Sequence, residues 1–360
     1  MSATRKSSWT KRLSPRSMGA IYVLIALVVV FSIISPSNFA NFGTAKLVFN
    51  QYAVTGLVGL ALLLPLASGL YDLSVGSNAA LSGIAAAWVL ANVTANPLAG
   101  VAAGIIVSIL AGLVNSAVVL GLGIDSFIGT LATGSIFLAI ATAVSGDNTI
   151  ATNVNGAFQQ DVALKNILGL TLPVFVTVIT AVLLYIGLEK SGFGRRTYSI
   201  GFDMEVARLS GVRVNAIRTA GLLTSATLSG IAGVLATAQI GAGSPATGPS
   251  FLLPAFAAAF LGATQFKAGR FNAWGTIVAV LLLGTGNVGL LVVGGPSWSP
   301  DVFDGVILIA AVGLTSAKGI GPLRIRALRR QSAVQRPAEP GSQTSATAAE
   351  AKPASAESIA

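Results

Sequence analysis

Cysteine and histidine are both absent from the 360 residues. With them go disulfides, thiolate metal sites, cysteine nucleophiles and imidazole proton relays. No Ser–His or Cys–His catalytic arrangement can be assembled, and the chain offers no set of metal ligands. Charge is scarce as well. Asp, Glu, Lys and Arg make up 9% of the chain, against about 25% in an ordinary soluble domain. That is too little to solvate the surface of a 36.3 kDa globule, which excludes an ordinary soluble enzyme. No G-x4-G-K-[ST] loop occurs, so the chain does not cradle nucleotide phosphates in that way.

What is there is apolar: 53% hydrophobic residues, with 41 glycines. Such a chain reads as an all-α polytopic membrane protein. About 20 mostly apolar residues cross the hydrocarbon as a helix, and ten such runs lie near 19–35, 47–68, 74–92, 98–120, 125–145, 167–188, 216–237, 250–265, 271–294 and 301–317. The breaks at 69–76 and 121–126 are short and only weakly polar. Residues 1–18 with the first run are expected to stay as a signal anchor, since the run is long and no clear A-x-A site follows.

The formal net charge of +10 sets orientation here and does not point to nucleic acid. Basic residues cluster in the N-terminal tail (Arg5, Lys6, Lys11, Arg12, Arg16), in the loop 189–218 (Lys190, Arg195, Arg196, Arg208, Arg213, Arg218), at Lys267 and Arg270, and after Lys318. Ten spans with a cytoplasmic N-terminus place all of these inside and leave only Lys46 and Lys165 outside, with both termini cytoplasmic. Residues 331–360 are rich in Ala, Ser, Pro, Gln and Glu without apolar period and read as a disordered tail.

Within the spans, small residues recur at a spacing of four, as in Ser225, Ser229, Gly233 and Thr237, which suits close helix packing in lipid. Asn50, Gln51, Asn78, Asn115, Thr130, Thr133, Gln265 and Asn287 are expected to bond between helices. Two acidic residues stand at helix breaks: Asp72, in Gly69-Leu70-Tyr71-Asp72-Leu73-Ser74-Val75-Gly76, and Asp125, in Gly123-Ile124-Asp125-Ser126. Asp72 or Ser74 can cap the third apolar helix, and Asp125 or Ser126 the fifth. An ionisable group at membrane depth also marks a transport pathway, and a broken helix is where transporters place substrate.

The loop 189–218 holds a second signal. Asp203 is placed to cap a short helix from Met204 to Ser210, Gly211 to end it, and Glu205 and Arg208 to pair three apart on its surface. It reads either as a topology anchor or as a docking helix for a cytoplasmic partner.

The stretch Gly194-Arg195-Arg196-Thr197-Tyr198-Ser199-Ile200-Gly201, followed by Ala207-Arg208-Leu209-Ser210-Gly211-Val212, resembles the cytoplasmic coupling loop of bacterial ABC importer permeases of the ribose/monosaccharide type. Asp72-Leu73-Ser74-Val75-Gly76 is similar to that family's I-D-L-S-V-G segment, and Ser126-Phe127-Ile128-Gly129-Thr130-Leu131 to its P-x-F-I-x-T-L-G segment. Residues 260–276 resemble a glycine- and threonine-rich segment near its C-terminal end. Tyr71 stands where Ile is usual, Asp125 where Pro is usual, and Leu261-Gly262 replaces Gly-Gly.

The resemblance implies a permease domain over 19–320 with a coupling loop at 189–215, between a basic cytoplasmic tail at 1–18 and a basic, then disordered, tail at 321–360. It implies coupling residues at Gly194, Arg195, Arg196, Tyr198, Gly201, Asp203, Glu205, Ala207, Arg208, Leu209 and Gly211, and a pathway near Asp72, Ser74, Asn78 and Thr130. There are no catalytic residues, no metal and no bound cofactor. ATP is used by a separate ATP-binding cassette subunit. The other implied partners are a periplasmic or lipid-anchored solute-binding protein, a second permease subunit in a homodimer, membrane lipid and a sugar, in the bacterial cytoplasmic membrane. A ten-span secondary transporter of the drug/metabolite type is the competing reading, and it needs an ion-coupling group within the membrane. An intramembrane aspartyl enzyme would need paired aspartates within spans.

Overall fold

The computed structural model describes residues 18–266 and 269–319. The expectations for the two tails and for Lys267 lie outside these residues, apart from Met18. In chain order the elements are α1 (Gly19–Ile34), α2 (Phe42–Ala67), α3 (Val75–Asn92), α4 (Pro97–Gly121), α5 (Ser126–Ser145), β1 (Asn166–Ile167), β2 (Leu170–Thr171), α6 (Leu172–Lys190), α7 (Gly192–Phe202), α8 (Met204–Leu209), α9 (Val214–Ile240), α10 (Pro249–Ala263), α11 (Ala273–Val292) and α12 (Ser299–Gly319). Each of the ten apolar runs is helical over most of its length. Six helices are long and apolar enough to cross a membrane: α2, α4, α5, α6, α9 and α11. α1 and α10 are apolar but shorter.

Helical structure is the expected solution, because lipid offers no partner to a backbone amide or carbonyl. The starts are set locally. Asn41 accepts from the Thr44 amide at 2.8 Å, Asn96 from Leu98 at 3.0 Å, and Asn272 from Gly275 at 2.8 Å, each satisfying an amide that the first turn leaves open. The run expected from 167 starts later. Leu168 and Gly169, both at positive φ, turn a two-residue hairpin between β1 and β2, and Pro173 opens α6 only after it.

α2 is the central helix. Of its most apolar window 72% is buried, against 33% for the peripheral α5. Its Val54, Leu57, Val58, Leu62 and Leu66 pack with Val75 of α3, Ala232, Leu235 and Ala236 of α9, and Ala255 and Ala259 of α10. On one side α3, α4, α5 and α9 form a tight group; on the other, α10, α11 and α12 pack together with α1 against α11. The small-residue row on α9 serves close packing, as its spacing predicts. A side chain at Gly233 would fall on the Ala79 carbonyl of α3, and one at Gly83 of α3 on the Thr237 hydroxyl. Here the backbones touch with nothing between them, which only small residues permit.

The polar groups listed from the sequence mostly join elements. Asn50 accepts from the Thr171 amide at 2.9 Å and donates to the Gly169 carbonyl at 3.2 Å, tying α2 to the hairpin. Gln265 accepts from the Ala20 amide at 3.1 Å. Gln51 is exposed.

Candidate functional site

The segment between α2 and α3 turns back into the bundle. α2 ends at Ser68, Gly69 adopts a left-handed φ of 76°, and the Leu70 amide closes the turn on the Pro65 carbonyl at 2.9 Å. This leaves 70–74 without helical bonds of its own. Its amides are met by side chains from the start of α5: Tyr71 N donates to the Ser126 hydroxyl at 3.1 Å and Leu73 N to the Thr130 hydroxyl at 2.9 Å. The two sequence segments singled out around Asp72 and Ser126 are therefore one structural unit.

Asp72 lies at its centre and is fully buried. One carboxylate oxygen accepts from the Ser74 amide at 3.0 Å and the Ser74 hydroxyl at 2.6 Å. The other accepts from the Ser225 hydroxyl of α9 at 2.7 Å. Ser74 in turn accepts from the Asn115 amide group of α4 at 2.7 Å, and Thr133 of α5 donates to the Asn115 carbonyl oxygen. Asn78, one turn into α3, donates to the Ala226 carbonyl and the Ser229 hydroxyl, both at 2.8 Å. Its own oxygen is buried and has no hydrogen-bond partner among the described residues. The four pathway candidates Asp72, Ser74, Asn78 and Thr130 are thus all buried. Asp72, Ser74 and Thr130 share the break, and Asn78 meets the same face of α9.

The capping expectation divides. Asp125 caps α5, accepting from the amides of Phe127 at 3.0 Å and Ile128 at 3.4 Å. Neither Asp72 nor Ser74 gives α3 a side-chain cap, because both are engaged with α4 and α9. Three members of the network, Ser225, Asn115 and Thr133, entered the sequence reading only as packing or bonding residues. They sit on three different helices, so no local pattern groups them. Tyr71 and Phe127, an edge-to-face pair with centroids 6.4 Å apart, face outward beside the network. Asp125→Ala is expected to lower stability by about 1 kcal/mol, the cost of a lost N-cap. The unfolding midpoint in detergent checks that expectation.

A further buried acid was missed. Asp304, in the second turn of α12, accepts from Asn287 of α11 at 2.9 Å and is 7% exposed. Its signal was a carboxylate inside the tenth run, three residues after Asp301, whose nearness disguised the pair as a helix start.

At the same end of the bundle as the Asp72 break, the loop after α6 folds into two short helices. α7 occupies 192–202, a helix that the three glycines there hid from the sequence reading. Ser191 caps it, accepting from Gly194 N at 3.2 Å. A side chain at Gly194 would overlap the Leu188 carbonyl, and one at Gly201 the Ala67 carbonyl of α2. α8 runs as expected: Asp203 accepts from the amides of Glu205 and Val206, both at 3.0 Å, and Gly211 ends the turn at φ 79°. Arg208 and Glu205 pair at 3.6 Å on the exposed side. Ala207 is buried with Ile200, Val214 and Ile217, which fixes α8 to α7 and to the first turn of α9.

The outer side of this unit mixes apolar and charged side chains. Phe202 is 93% exposed, Leu209 80% and Val206 59%, while Arg195 and Arg196 are exposed on α7. Tyr198 anchors the inner side, donating to the Phe271 carbonyl at 2.6 Å beneath the Arg270 guanidinium, 3.9 Å from its ring centroid. Burial, with Glu189 adding and Arg270 opposing, pushes its hydroxyl up to about 12, so it stays a donor at physiological pH.

Residues 44–312 match the family described as "Branched-chain amino acid transport system / permease component". The ribose import permease protein of Bacillus subtilis is 32% identical over 304 residues, covering 84% of this chain and 94% of that protein. The L-arabinose transport system permease protein of Escherichia coli is 32% identical over 318 residues, 87% of this chain and 96% of its own length. The D-allose transport system permease protein of Escherichia coli is 29% identical over 315 residues, with shares of 87% and 95%. No solved structure matches.

Proposed function

The chain belongs to the family of branched-chain amino acid transport system permease components, and from that membership we propose that it is the membrane-spanning subunit of an ATP-driven importer for a sugar or similar small polar solute. It is a multi-pass protein of the bacterial cytoplasmic membrane. In this reading all ten apolar helices cross the bilayer, α7 and α8 and both termini face the cytoplasm, and two copies of the chain pair to form the pathway. A separate ATP-binding cassette subunit hydrolyses ATP, and a solute-binding protein delivers the solute from outside. The chain itself is a transport subunit with no catalytic residue and no cofactor of its own.

The observation that carries the reading is the outward apolar surface of α7 and α8. A cytoplasmic helix gains nothing by presenting Phe202, Val206 and Leu209 to water, and exposed apolar patches of this kind mark protein contacts. It is fixed to the bundle by small residues and polar contacts, and Gly201 lies directly on the end of α2 that leads into the Asp72 break. Movement imposed on α8 is thereby placed one helix end from the buried network. The names of the relatives support a pentose or hexose as solute.

The test is purification of the tagged chain from its native membrane in mild detergent. A near-stoichiometric ATPase subunit and ATP-dependent uptake of ribose, arabinose or allose into vesicles are the expected result. Asp304 gives the ten-span secondary transporter its best support, since it is a buried carboxylate within an apolar helix. If the chain purified alone, uptake ran on a proton gradient without ATP, and Asp304→Asn stopped it, that second reading would replace the first.

A further inference from the structure

One face of α9 runs alongside the Asp72 break step by step. Arg218, Leu222, Ser225 and Ser229 are spaced by four, three and four, which places them in a single line along a helix. Each meets a different point of the segment from 68 to 78. The Arg218 guanidinium donates through two nitrogens to the Ser68 carbonyl, both at 3.4 Å. Leu222, fully buried, packs with Leu70 and with Val119 of α4. Ser225 donates to Asp72, and Ser229 accepts from Asn78. The first turn of α9 is packed into α8 through Ala207, Val214 and Ile217. α9 thus touches both α8 and successive points of the break.

The contact at Arg218 differs from the others. Ser68 is the C-cap of α2, where the carbonyls are open and the helix dipole favours a cation. A guanidinium that donates twice to one carbonyl fixes direction as well as distance, which a single ammonium does not. It is also the first contact of the line as counted from α8.

We propose that this face of α9 is the lever that carries movement of α8 to the Asp72 break, and that Arg218 is the positioning residue that fixes the start of the break to it. The proposal rests on the importer reading and specifies its internal route. Coupling by this route requires the packed element that joins the two sites to take two discrete arrangements.

The absence of native cysteine makes the test direct. In the purified complex, Leu70→Cys reports on the break and Val206→Cys on docking, each as the rate of maleimide labelling with and without ATP plus vanadate. The expected result is a change at Leu70→Cys of at least about fivefold on nucleotide trapping, the lower range of allosteric couplings. Arg218→Gln should erase that change while Val206→Cys stays protected by the ATPase subunit. Arg218→Lys should keep part of it, and Leu222→Cys should repeat the pattern if Leu70→Cys disturbs the fold. The proposal is overturned if trapping still alters labelling in Arg218→Gln, or if neither Leu70→Cys nor Leu222→Cys responds to trapping in a docked complex. It is equally overturned if Arg218→Gln releases the ATPase subunit, which would make Arg218 a folding residue only. Equal labelling of Val206→Cys with and without co-purifying subunits would instead sink the importer reading itself.

Discussion

Asp72→Ala is expected to abolish uptake, by at least about 100-fold, in protein that still inserts into the membrane. The carboxylate answers three donors at once: the Ser74 amide, the Ser74 hydroxyl and the Ser225 hydroxyl. Removing it leaves them without an acceptor in a site that water does not reach, and each buried donor left open costs about 1–3 kcal/mol. Two such losses already correspond to about 100-fold in any equilibrium that depends on this arrangement. Asp72→Asn keeps the volume but turns an NH2 group toward at least one of the same donors, so it should fail nearly as badly. Asp72→Glu keeps the charge and should retain some activity at the expense of packing. The measurement is uptake normalised to the amount of tagged protein in the membrane, read beside the unfolding midpoint in detergent. Wild-type uptake by Asp72→Asn would show the carboxylate to be dispensable. A collapse of the midpoint without a specific loss of transport would assign the network to folding alone.

Why this network escaped a reading of the sequence, while α8 did not, is a matter of range. Asp203, Glu205 and Gly211 act within nine residues, and caps and left-handed turns obey local rules that a sequence displays directly. Asp125 was legible for the same reason. Asp72 looked the same from the sequence, an acid shortly before an apolar helix. What diverts it from capping is Ser225, 153 positions away on α9, together with Asn115 on α4. Hydroxyl groups in an apolar helix carry no mark of which neighbour they will meet. Ser225 and Ser229 were visible as small residues in a row, and that was true of Gly233 and Thr237 above them; the lower half of the same row turned out to hold the break. α7 was hidden differently. Glycines at 192, 194 and 201 lower helix propensity, yet two of these positions admit nothing larger because the Leu188 and Ala67 carbonyls lie where a side chain would be. Tertiary contact chose glycine there against local preference. The apolar runs needed no such context to be read as helices, and six helices among the described residues have the length and hydropathy to cross lipid.

In the proposed importer, Leu209→Ser and Phe202→Ser should each weaken docking of the ATPase subunit without harming the chain's own fold. Both side chains are almost wholly exposed, so the isolated protein loses next to nothing when they are truncated. In a docked complex they would be the central apolar anchors, and such residues carry about 2 kcal/mol or more apiece. That is a weakening of roughly 30-fold for each change, and more for the pair. Glu205→Arg should do less, because the Glu205–Arg208 pair is exposed and surface pairs of this kind contribute little. Gly201→Pro would stop transport too, but a ring at that position meets the Ala67 carbonyl, so a failure there reports on folding and docking together. The serine variants separate the two. Recovery of the ATPase subunit with the tagged chain, measured beside the chain's own unfolding midpoint, should fall for Leu209→Ser and Phe202→Ser while the midpoint stays unchanged. Full recovery from both variants would mean that the exposed face of α8 meets something other than the ATPase. Only a surface whose loss is invisible to the chain alone, and decisive for the assembly, can be the place where ATP hydrolysis is felt.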